Sequence, residues 1–297
     1  MNINYEALKT FYIVASKKSI SKAAAAIGVS QPAVTQVIQN LENSLGGKLF
    51  IRSKKGVDLT EEGKTLYTYV EEGMNFLENG LRKFQELKNL DTGKVRVGAN
   101  PVISKHILMP YLKIFHEQHP NVEIQIVNDS TTSLLKQLRV GSLDLVILDV
   151  PRKEIPDFEI HHFKDIQDVF IANEYFYDKS KEIKSIHDLL KMPVIVEQNP
   201  SISRAYFDLL LKSKNIECTP RMEVDSQELL IDCVTNGFGI GFVTEEYIQD
   251  ELEKNKIYII DVGQIPKRKV GVATFKKNIL NMSSQSLIDL IINKKNL

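Results

Sequence analysis

Residues 30–36 read Ser30-Gln31-Pro32-Ala33-Val34-Thr35-Gln36, directly after an alanine-rich run that ends at Gly28-Val29. The alanines at 23–26 favour a helix with a smooth surface, and Gly28 suits the left-handed residue that ends many helices. Ser30 is a good N-cap for a second helix, and Pro32 fits its first turn because no N–H is needed there. Apolar residues then recur at helical spacing, namely Val34, Val37, Ile38, Leu41 and Leu45. The stretch predicts helix, tight turn, helix.

The second helix carries a polar face formed by Gln31, Thr35, Gln36 and Gln39. Glutamine can pair bidentately with adenine, and the threonine methyl can contact the methyl of thymine. This face therefore suits the DNA major groove. The alternative is a solvated polar face on an ordinary helix pair, since such faces are common.

Three neighbouring features favour DNA binding. An amphipathic helix precedes the motif, with Leu8, Phe11, Tyr12 and Ala15 on one face. In residues 48–60, two short apolar runs flank a basic, glycine-containing tip, which predicts a two-stranded wing. Residues 1–57 hold eight Lys or Arg against two acids, a net charge of +6, whereas the whole chain balances 38 basic against 38 acidic residues. A basic unit on a neutral chain is typical of phosphate binding.

Residues 5–63 resemble the winged helix-turn-helix of the LysR-type transcriptional regulators. The resemblance rests on residues 8–11, 19–24, 29–35, 38–42, 45–46, 49–50, 52 and 59–63. The sequence departs from the family pattern at Thr35, where serine is usual, at Gln36 and Gln39, which are often basic, and at Ile51, which is usually acidic. These departures affect the base preference rather than the fold.

The helix beginning at Ser30 is expected to enter the major groove, with wing residues on phosphates or in the minor groove. We predict DNA contacts from Ser21, Lys22, Ser30, Gln31, Pro32, Thr35, Gln36, Gln39, Arg52, Lys54 and Lys55. The resemblance implies that the partner is double-stranded promoter DNA, and it allows RNA polymerase as a further partner.

Residues 60–90 predict one long helix, with Thr60 as N-cap and Glu61 and Glu62 at its positive end. A heptad-like seam follows: Leu66, Val70, Met74, Leu77, Leu81, Phe84 and Leu87. We predict that this seam mediates dimerisation, and the alternative is a helix packed on its own domain. The resemblance implies a linker helix that pairs two DNA-binding units within a homodimer or homotetramer.

From Lys94 onward, strands and helices alternate, which predicts a mostly parallel sheet covered by helices. The resemblance implies a two-lobed α/β effector domain, similar to periplasmic solute-binding proteins. The predicted domains are a winged helix-turn-helix in 1–59, a linker helix in 60–90 and an effector domain in 91–297. Lobe one would comprise 91–162 and 268–297, and lobe two 163–267.

A small-molecule effector is expected between the lobes, at strand C-termini and helix N-termini. In the family a loop here often reads Gly-Ser-x-Thr-Arg, and in this chain Pro200 replaces the glycine. The candidate effector residues are Asn100, Pro101, Val102, Ser104, Asn128, Ser201, Ser203, Arg204 and Ser226. Hydroxyls with one arginine suggest a small anion such as a carboxylate. The alternative is that Ser201 and Ser226 are plain N-caps and Arg204 is a surface charge.

Other functional classes find little support in the sequence. The chain has no apolar run of membrane-spanning length and no signal-peptide pattern, so a cytoplasmic location is expected. Cys218 and Cys233 are expected to be free, buried thiols. His116 and His119 lack a third ligand, so no metal site or cofactor is predicted, and the absence of catalytic motifs argues against an enzyme. A solute-binding receptor whose N-terminal unit only mediates assembly is the other interpretation.

Overall fold

The computed structural model describes residues 3–53, 56–86, 93–151, 153–183 and 185–294, without the side chains of 52, 53, 82, 83, 85 and 86. The chain separates into two compact units, one formed mainly by its first 90 residues and one by most of the remainder. No helix in the described residues is both long and apolar enough to cross a membrane.

The first unit is a winged helix-turn-helix. Its elements are α1 (Tyr5–Lys17), α2 (Ile20–Ile27), α3 (Gln31–Leu45), β1 (Phe50–Ser53) and β2 (Gly56–Leu59). The side chains of Ser19 and Ser30 cap α2 and α3, and Gly28 and Gly46 end these helices in the left-handed conformation. The apolar faces of the three helices meet in one core that includes Phe11, Val14, Ala23, Val34, Ile38 and Leu41. The predicted helix-turn-helix and wing are confirmed.

The long helix, α4 (Glu61–Glu86), begins at the predicted N-cap, where the Thr60 hydroxyl accepts the N–H of Gly63 at 2.9 Å. The predicted dimer seam is wrong in its N-terminal half. Val70 and Met74 are buried in the core of the first unit, and Tyr67 stacks on Tyr12 with 5.9 Å between ring centroids. The first turns of α4 thus pack on their own domain, because α1 offers them an apolar face.

The C-terminal part of α4 keeps an exposed apolar stripe. Its members are Phe76, Leu77, Leu81 and Phe84, and Tyr69 is exposed nearer the start of the helix. Exposed apolar side chains of this size on one helix indicate a surface that another chain can cover. Leu87, the last predicted seam residue, lies outside the described residues.

The N-terminal part of the second unit forms most of its first lobe. The elements are β3 (Lys94–Ala99), α5 (Pro101–Ile103), a π-helical turn (Ser104–Leu108), α6 (Met109–Gln118), β4 (Glu123–Asn128), α7 (Thr131–Arg139), β5 (Leu145–Asp149) and β6 (Phe158–Ile166). The chain then forms the second lobe. Its elements are β7 (Asp168–Ala172), α8 (Glu174–Ser180), α9 (Ile186–Leu189), β8 (Val194–Glu197), α10 (Ile202–Ser213), β9 (Met222–Val224), α11 (Gln227–Thr235), β10 (Ile240–Thr244), a 3-10 turn (Glu245–Tyr247), α12 (Gln249–Glu253) and β11 (Tyr258–Ile260). Two further elements, β12 (Arg268–Phe275) and α13 (Met282–Asn293), complete the first lobe.

Each lobe has one five-stranded sheet. The strand order is β4-β3-β5-β12-β6 in the first lobe and β11-β7-β10-β8-β9 in the second. The prediction of a mostly parallel sheet is wrong, since each sheet has two parallel and two antiparallel pairings. The reason is the pair of crossovers: β7 and β12 each enter a sheet from the other lobe and therefore run against their neighbours. All the other strands point their C-termini towards the crossovers.

The sequence analysis missed β6, which continues to Ile166 within the first sheet, four residues beyond the predicted lobe boundary at 162. Its pairing register with β12 shifts between Val270 and Gly271, so the alternation of buried and exposed residues is interrupted. The remaining domain boundaries stay predictions. Cys218 and Cys233 are free but only partly buried, and burial raises the pKa of the Cys218 thiol.

Candidate DNA interface and effector cleft

The polar face of α3 lies at the surface of the first unit. Gln31, Gln36 and Gln39 are exposed, whereas Thr35 is half-buried. The Ser21 hydroxyl donates to Gln31 Oε1 at 3.0 Å, and Gln36 Nε2 donates to Asn40 Oδ1 at 2.9 Å. These hydrogen bonds hold two of the amides in place and leave the Nε2 donors of Gln31 on the exposed face. Such pre-positioned amides suit base-edge recognition.

The other predicted DNA contacts surround this face. Lys22 and Pro32 are exposed, and the Ser30 side chain caps α3. Lys54 and Lys55 lie outside the described residues, as does the side chain of Arg52.

A carboxylate that the sequence analysis did not single out fixes the wing to α3. Glu42 is buried near the end of α3; its Oε1 accepts the N–H of Leu49 at 2.9 Å and of Phe50 at 3.4 Å, and its Oε2 accepts Lys48 Nζ at 2.7 Å. Burial alone would raise the pKa of Glu42, but these hydrogen bonds outweigh it and the pKa lies below its ordinary value. An acid seven residues before an apolar run is the only local signal for this contact.

The wing also contacts the first helix. Gly56 has φ 133, and a Cβ there would lie 2.5 Å from the carbonyl oxygen of Lys18, which also accepts the N–H of Val57 at 3.2 Å. Only glycine allows this approach. The wing is thus held at both ends, by α1 and by Glu42.

In the second unit, three candidate effector residues of the first lobe come together. Asn100 Oδ1 accepts the N–H of Ile103 at 2.7 Å and caps α5, and the Ser104 hydroxyl donates to Asn128 Oδ1 at 2.7 Å. Asn100 follows β3 and Asn128 ends β4. Both strands end on the side of the sheet that faces the two crossovers between the lobes, and this side is the crossover edge. Pro101 and Val102 form the start of α5 beside them.

The candidate residues of the second lobe are helix caps. The Ser201 hydroxyl accepts the N–H of Arg204 at 2.9 Å and donates to Glu197 Oε2 at 3.1 Å. The Ser226 hydroxyl accepts the N–H of Leu229 at 3.3 Å and caps α11. Ser203 is buried, and its hydroxyl helps to lower the pKa of Glu197, although burial raises that pKa overall. Ser201 and Ser226 are therefore N-caps, and whether they also contact an effector stays a prediction.

Arg204 is already engaged by the chain itself. Its Nη1 lies 2.7 Å from Glu223 Oε1 and its Nε lies 2.9 Å from Asp208 Oδ1. The same Nη1 donates to the carbonyl oxygen of Glu197 at 3.3 Å. Arg204 is therefore a largely buried cation that joins α10 to β8 and β9, rather than a surface charge.

A buried ion-pair cluster lies where the chain crosses between the lobes. The Arg268 side chain is 3% exposed; its Nε lies 2.8 Å from Asp168 Oδ2 and its Nη1 lies 2.6 Å from Asp149 Oδ1. Thr244 adds a hydrogen bond to Asp168 at 2.9 Å, and the Tyr206 ring lies 4.9 Å from the guanidinium carbon. Burial raises the pKa of Asp149 in spite of Arg268. The cluster joins the end of β5 to the starts of β7 and β12, and the sequence analysis missed it.

Two of the cavities around the crossovers have contrasting linings. The first cavity, of about 380 Å³, is bordered mainly by apolar residues of α10 and of the second crossover. Lys267 and Lys269 also line it. The other, of about 460 Å³, lies between the π-helical turn of the first lobe and α11 of the second. It is lined by Lys105, His106, Glu228, Asp232, Tyr247, Asp250 and Glu251, among others. Burial lowers the pKa of His106.

Comparison with known proteins identifies both units. The family described as "Bacterial regulatory helix-turn-helix protein, lysR family" matches residues 5–64, and "LysR substrate binding domain" matches residues 88–295. The chain belongs to the LysR family. It is a DNA-binding transcriptional regulator with an effector-binding domain.

Relatives and solved structures agree with this assignment. A "Probable RuBisCO transcriptional regulator" of Thalassiosira pseudonana is 30% identical over 87% of this chain and 86% of its own. A protein of the same description from Synechocystis sp. is 29% identical over 89% of this chain and 78% of its own. Full-length CbnR in complex with its target DNA has a TM-score of 0.69 at 17% identity, covering 99% of this chain and 100% of CbnR. The effector-binding domain of QuiR in complex with shikimate has a TM-score of 0.60 at 17% identity, covering 69% of this chain and 97% of that one.

Within this LysR-family fold, sequence reasoning singled out the loops that follow β3, β4 and β8, but it did not single out the charged residues Glu197 and Arg268. Asn100, Ser104 and Asn128 are brought together in one lobe, and Ser201 and Ser203 meet at Glu197 in the other. No sequence motif pointed to Glu197 or Arg268. The partners of Arg268 are remote in sequence, and the role of Glu197 depends on where β8 ends.

Proposed function

We propose that this regulator reads promoter DNA with the exposed face of α3 and holds the flanking backbone with its wing. The observation that carries the proposal is the fixed geometry of the two elements, since Glu42 connects the end of α3 to the start of β1. When the wing is held in a fixed position relative to the recognition helix, both can contact one DNA duplex in a single register.

Gln31→Ala and Lys54→Ala separate the two roles. Gln31→Ala should relax base preference at one position of the site, by about 1–3 kcal/mol of discrimination, because a base-edge contact is lost. Lys54→Ala should weaken binding to all sequences and lower the slope of log affinity against log salt by about 1. Selection from random duplexes and fluorescence anisotropy at several salt concentrations measure these effects, with Lys113→Ala on α6 as the control. An unchanged salt slope for Lys54→Ala would show that the wing does not contact phosphates.

We further propose that a small molecule binds between the lobes and is bound rather than chemically transformed. The residues are those at the crossover edge: Asn100, Pro101, Val102, Ser104, Asn128, Ser201, Ser203 and Ser226. Support comes from the match to the substrate-binding domain family and from the convergence of strand ends on this edge. A thermal-shift screen of the full chain should give a saturable hit that Ser104→Ala weakens. A hit unaffected by both Ser104→Ala and Ser201→Ala would place the ligand elsewhere.

The functional unit is a homodimer or homotetramer in this proposal, and RNA polymerase is a further partner. Support comes from the exposed apolar stripe on α4, where Leu81 is 68% exposed. Leu81→Glu should shift the assembly towards the monomer in sedimentation velocity, because a charge cannot be buried there without a partner. Glu78→Lys, an exposed change on the same helix, serves as the control. An unchanged distribution for Leu81→Glu would exclude the stripe as the interface.

A further inference from the structure

The charge of the crossover edge depends on which residues stand at the C-terminal ends of the strands. Eight strands, all except β7 and β12 in the two lobes, point their C-termini towards the crossovers. In six of them the last residue or the one after it is acidic: Asp129, Asp149, Glu197, Asp225, Glu245 and Asp261. At none of the eight is it lysine or arginine. These carboxylates place negative charge along this edge, whereas the helix N-termini beside it are capped by Asn100, Ser201 and Ser226.

Three of the cations near this edge are paired, whereas Lys267 and Lys269 at the start of β12 are exposed. Arg268 is bound by Asp149 and Asp168, and Arg204 by Asp208 and Glu223. Lys105, at the π-helical turn, pairs across the lobes with Glu228 at 2.8 Å. An anionic ligand would have to compete with the chain's own carboxylates for each of these groups.

The place where an anion would be expected, the N-terminus of α10, holds a carboxylate of the chain itself. Glu197 ends β8 and accepts a hydrogen bond from the hydroxyl of Ser201 at 3.1 Å. It is half-buried, and within the described part of the chain no lysine, arginine or histidine lies within ion-pair distance of its carboxylate. The Ser201 hydroxyl and the more distant positive charge of Arg268 offset its burial only in part, and the pKa of Glu197 stays raised, so a cation in direct contact with the carboxylate would be favoured.

A second, independent feature follows the strand that pairs with the end of β8. Glu197 pairs with Val224 across β8 and β9, and Gln227 begins α11 three residues later. Gln227 is buried, and its Nε2 has no hydrogen-bond partner among the residues that the structure describes. A buried donor without an acceptor is costly, and a hydroxyl or carbonyl oxygen of a ligand would satisfy it.

From these contacts we infer that the effector is a cation, an amine or guanidine that also carries a neutral oxygen acceptor, with Glu197 as its counterion. The inference rests on the proposed effector site and replaces the small anion expected from the sequence.

The test uses four-carbon probes that differ only in their end groups. They are 4-amino-1-butanol, putrescine, 1,4-butanediol and succinate, titrated into the full chain at constant ionic strength. Thermal shift and calorimetry should show saturable binding of the two amines, stronger than that of the diol, and none of succinate. Glu197→Gln should weaken amine binding by about tenfold or more, because the side chain keeps its shape and loses its charge. Glu217→Gln, an exposed acid before the start of β9, should leave it unchanged.

The outcomes separate the inference from the proposed site. An equal loss of amine binding in Glu197→Gln and Glu217→Gln would overturn the cationic effector. The absence of saturable binding of either amine would overturn it as well. If succinate binds instead and Ser104→Ala abolishes that binding, the site stands and its charge is the opposite. If succinate binds and Lys267→Ala abolishes it while Ser104→Ala does not, the ligand occupies the 380 Å³ cavity. If none of the four binds, both the site and its charge assignment fall.

Discussion

Replacing Glu42 with alanine is expected to release the wing from α3. The substitution leaves the buried N–H of Leu49 without an acceptor, which costs about 1–3 kcal/mol, and it removes the longer contact to Phe50, which costs about 1 kcal/mol more. The ion pair to Lys48 adds only about 0–1 kcal/mol, because the lysine is 71% exposed. The free energy of opening this region should therefore fall by about 2–4 kcal/mol.

Hydrogen–deuterium exchange of the full chain measures this opening in peptides that span residues 43–60. A loss of this size corresponds to protection that is about 30-fold to several hundred-fold lower. Glu62→Ala, an exposed acid in the first turn of α4, is the control and should change the opening free energy by less than about 0.5 kcal/mol. Equal protection in the two variants would refute the role of Glu42.

The same contact predicts a pH dependence. The pKa of Glu42 is lower in the folded protein than in the unfolded chain, so its contribution is complete above the unfolded pKa of about 4.3. It is lost as the pH falls through the folded pKa. The difference in protection between wild type and Glu42→Gln should therefore shrink below about pH 4.3, where both side chains are neutral. A difference that stays constant down to pH 3 would contradict the ionised contact.

Two further predictions concern packing and buried charge. Gly63→Ala should destabilise the first unit, because its Cβ would collide with the carbonyl oxygen of Leu49, whereas Gly73→Ala in the same helix meets nothing within 4 Å and should stabilise it by about 0.5–1 kcal/mol. Thermal unfolding of both variants should give shifts of opposite sign, and shifts of the same sign would contradict the packing. Arg268→Ala should lower the stability of the second unit by about 3–5 kcal/mol, since two buried carboxylates lose their partner. Urea denaturation followed by circular dichroism measures this, and a loss below about 1 kcal/mol would show that Asp149 and Asp168 do not depend on the arginine.

Features that depend on residues within about four positions of one another could be predicted from the sequence. The serine caps of α3, α10 and α11 and the left-handed Gly28 are of this kind, because a helix end is satisfied by its own neighbours. The winged helix-turn-helix and the alternation of strands and helices followed from such signals.

The division of the α4 seam could not be predicted in this way. Val70 and Leu81 carry the same heptad signal, yet one is buried in the first unit and the other is exposed. The difference arises because α1 covers only the N-terminal turns of α4, a fact about a second helix and not about the spacing itself.

The sequence alone determined the winged helix-turn-helix, the alternation of strands and helices and the caps of several helices, because periodicity and capping act locally. The tertiary structure alone decided which charged residues meet where the chain crosses between the lobes. Arg268 meets Asp168 and Asp149 across separations of 100 and 119 residues, and Glu197 faces the crossover only because two strands enter from the opposite lobe. A charge interacts most strongly with groups that lie within a few ångströms in space. The sequence alone does not give the distances between residues that are far apart along the chain.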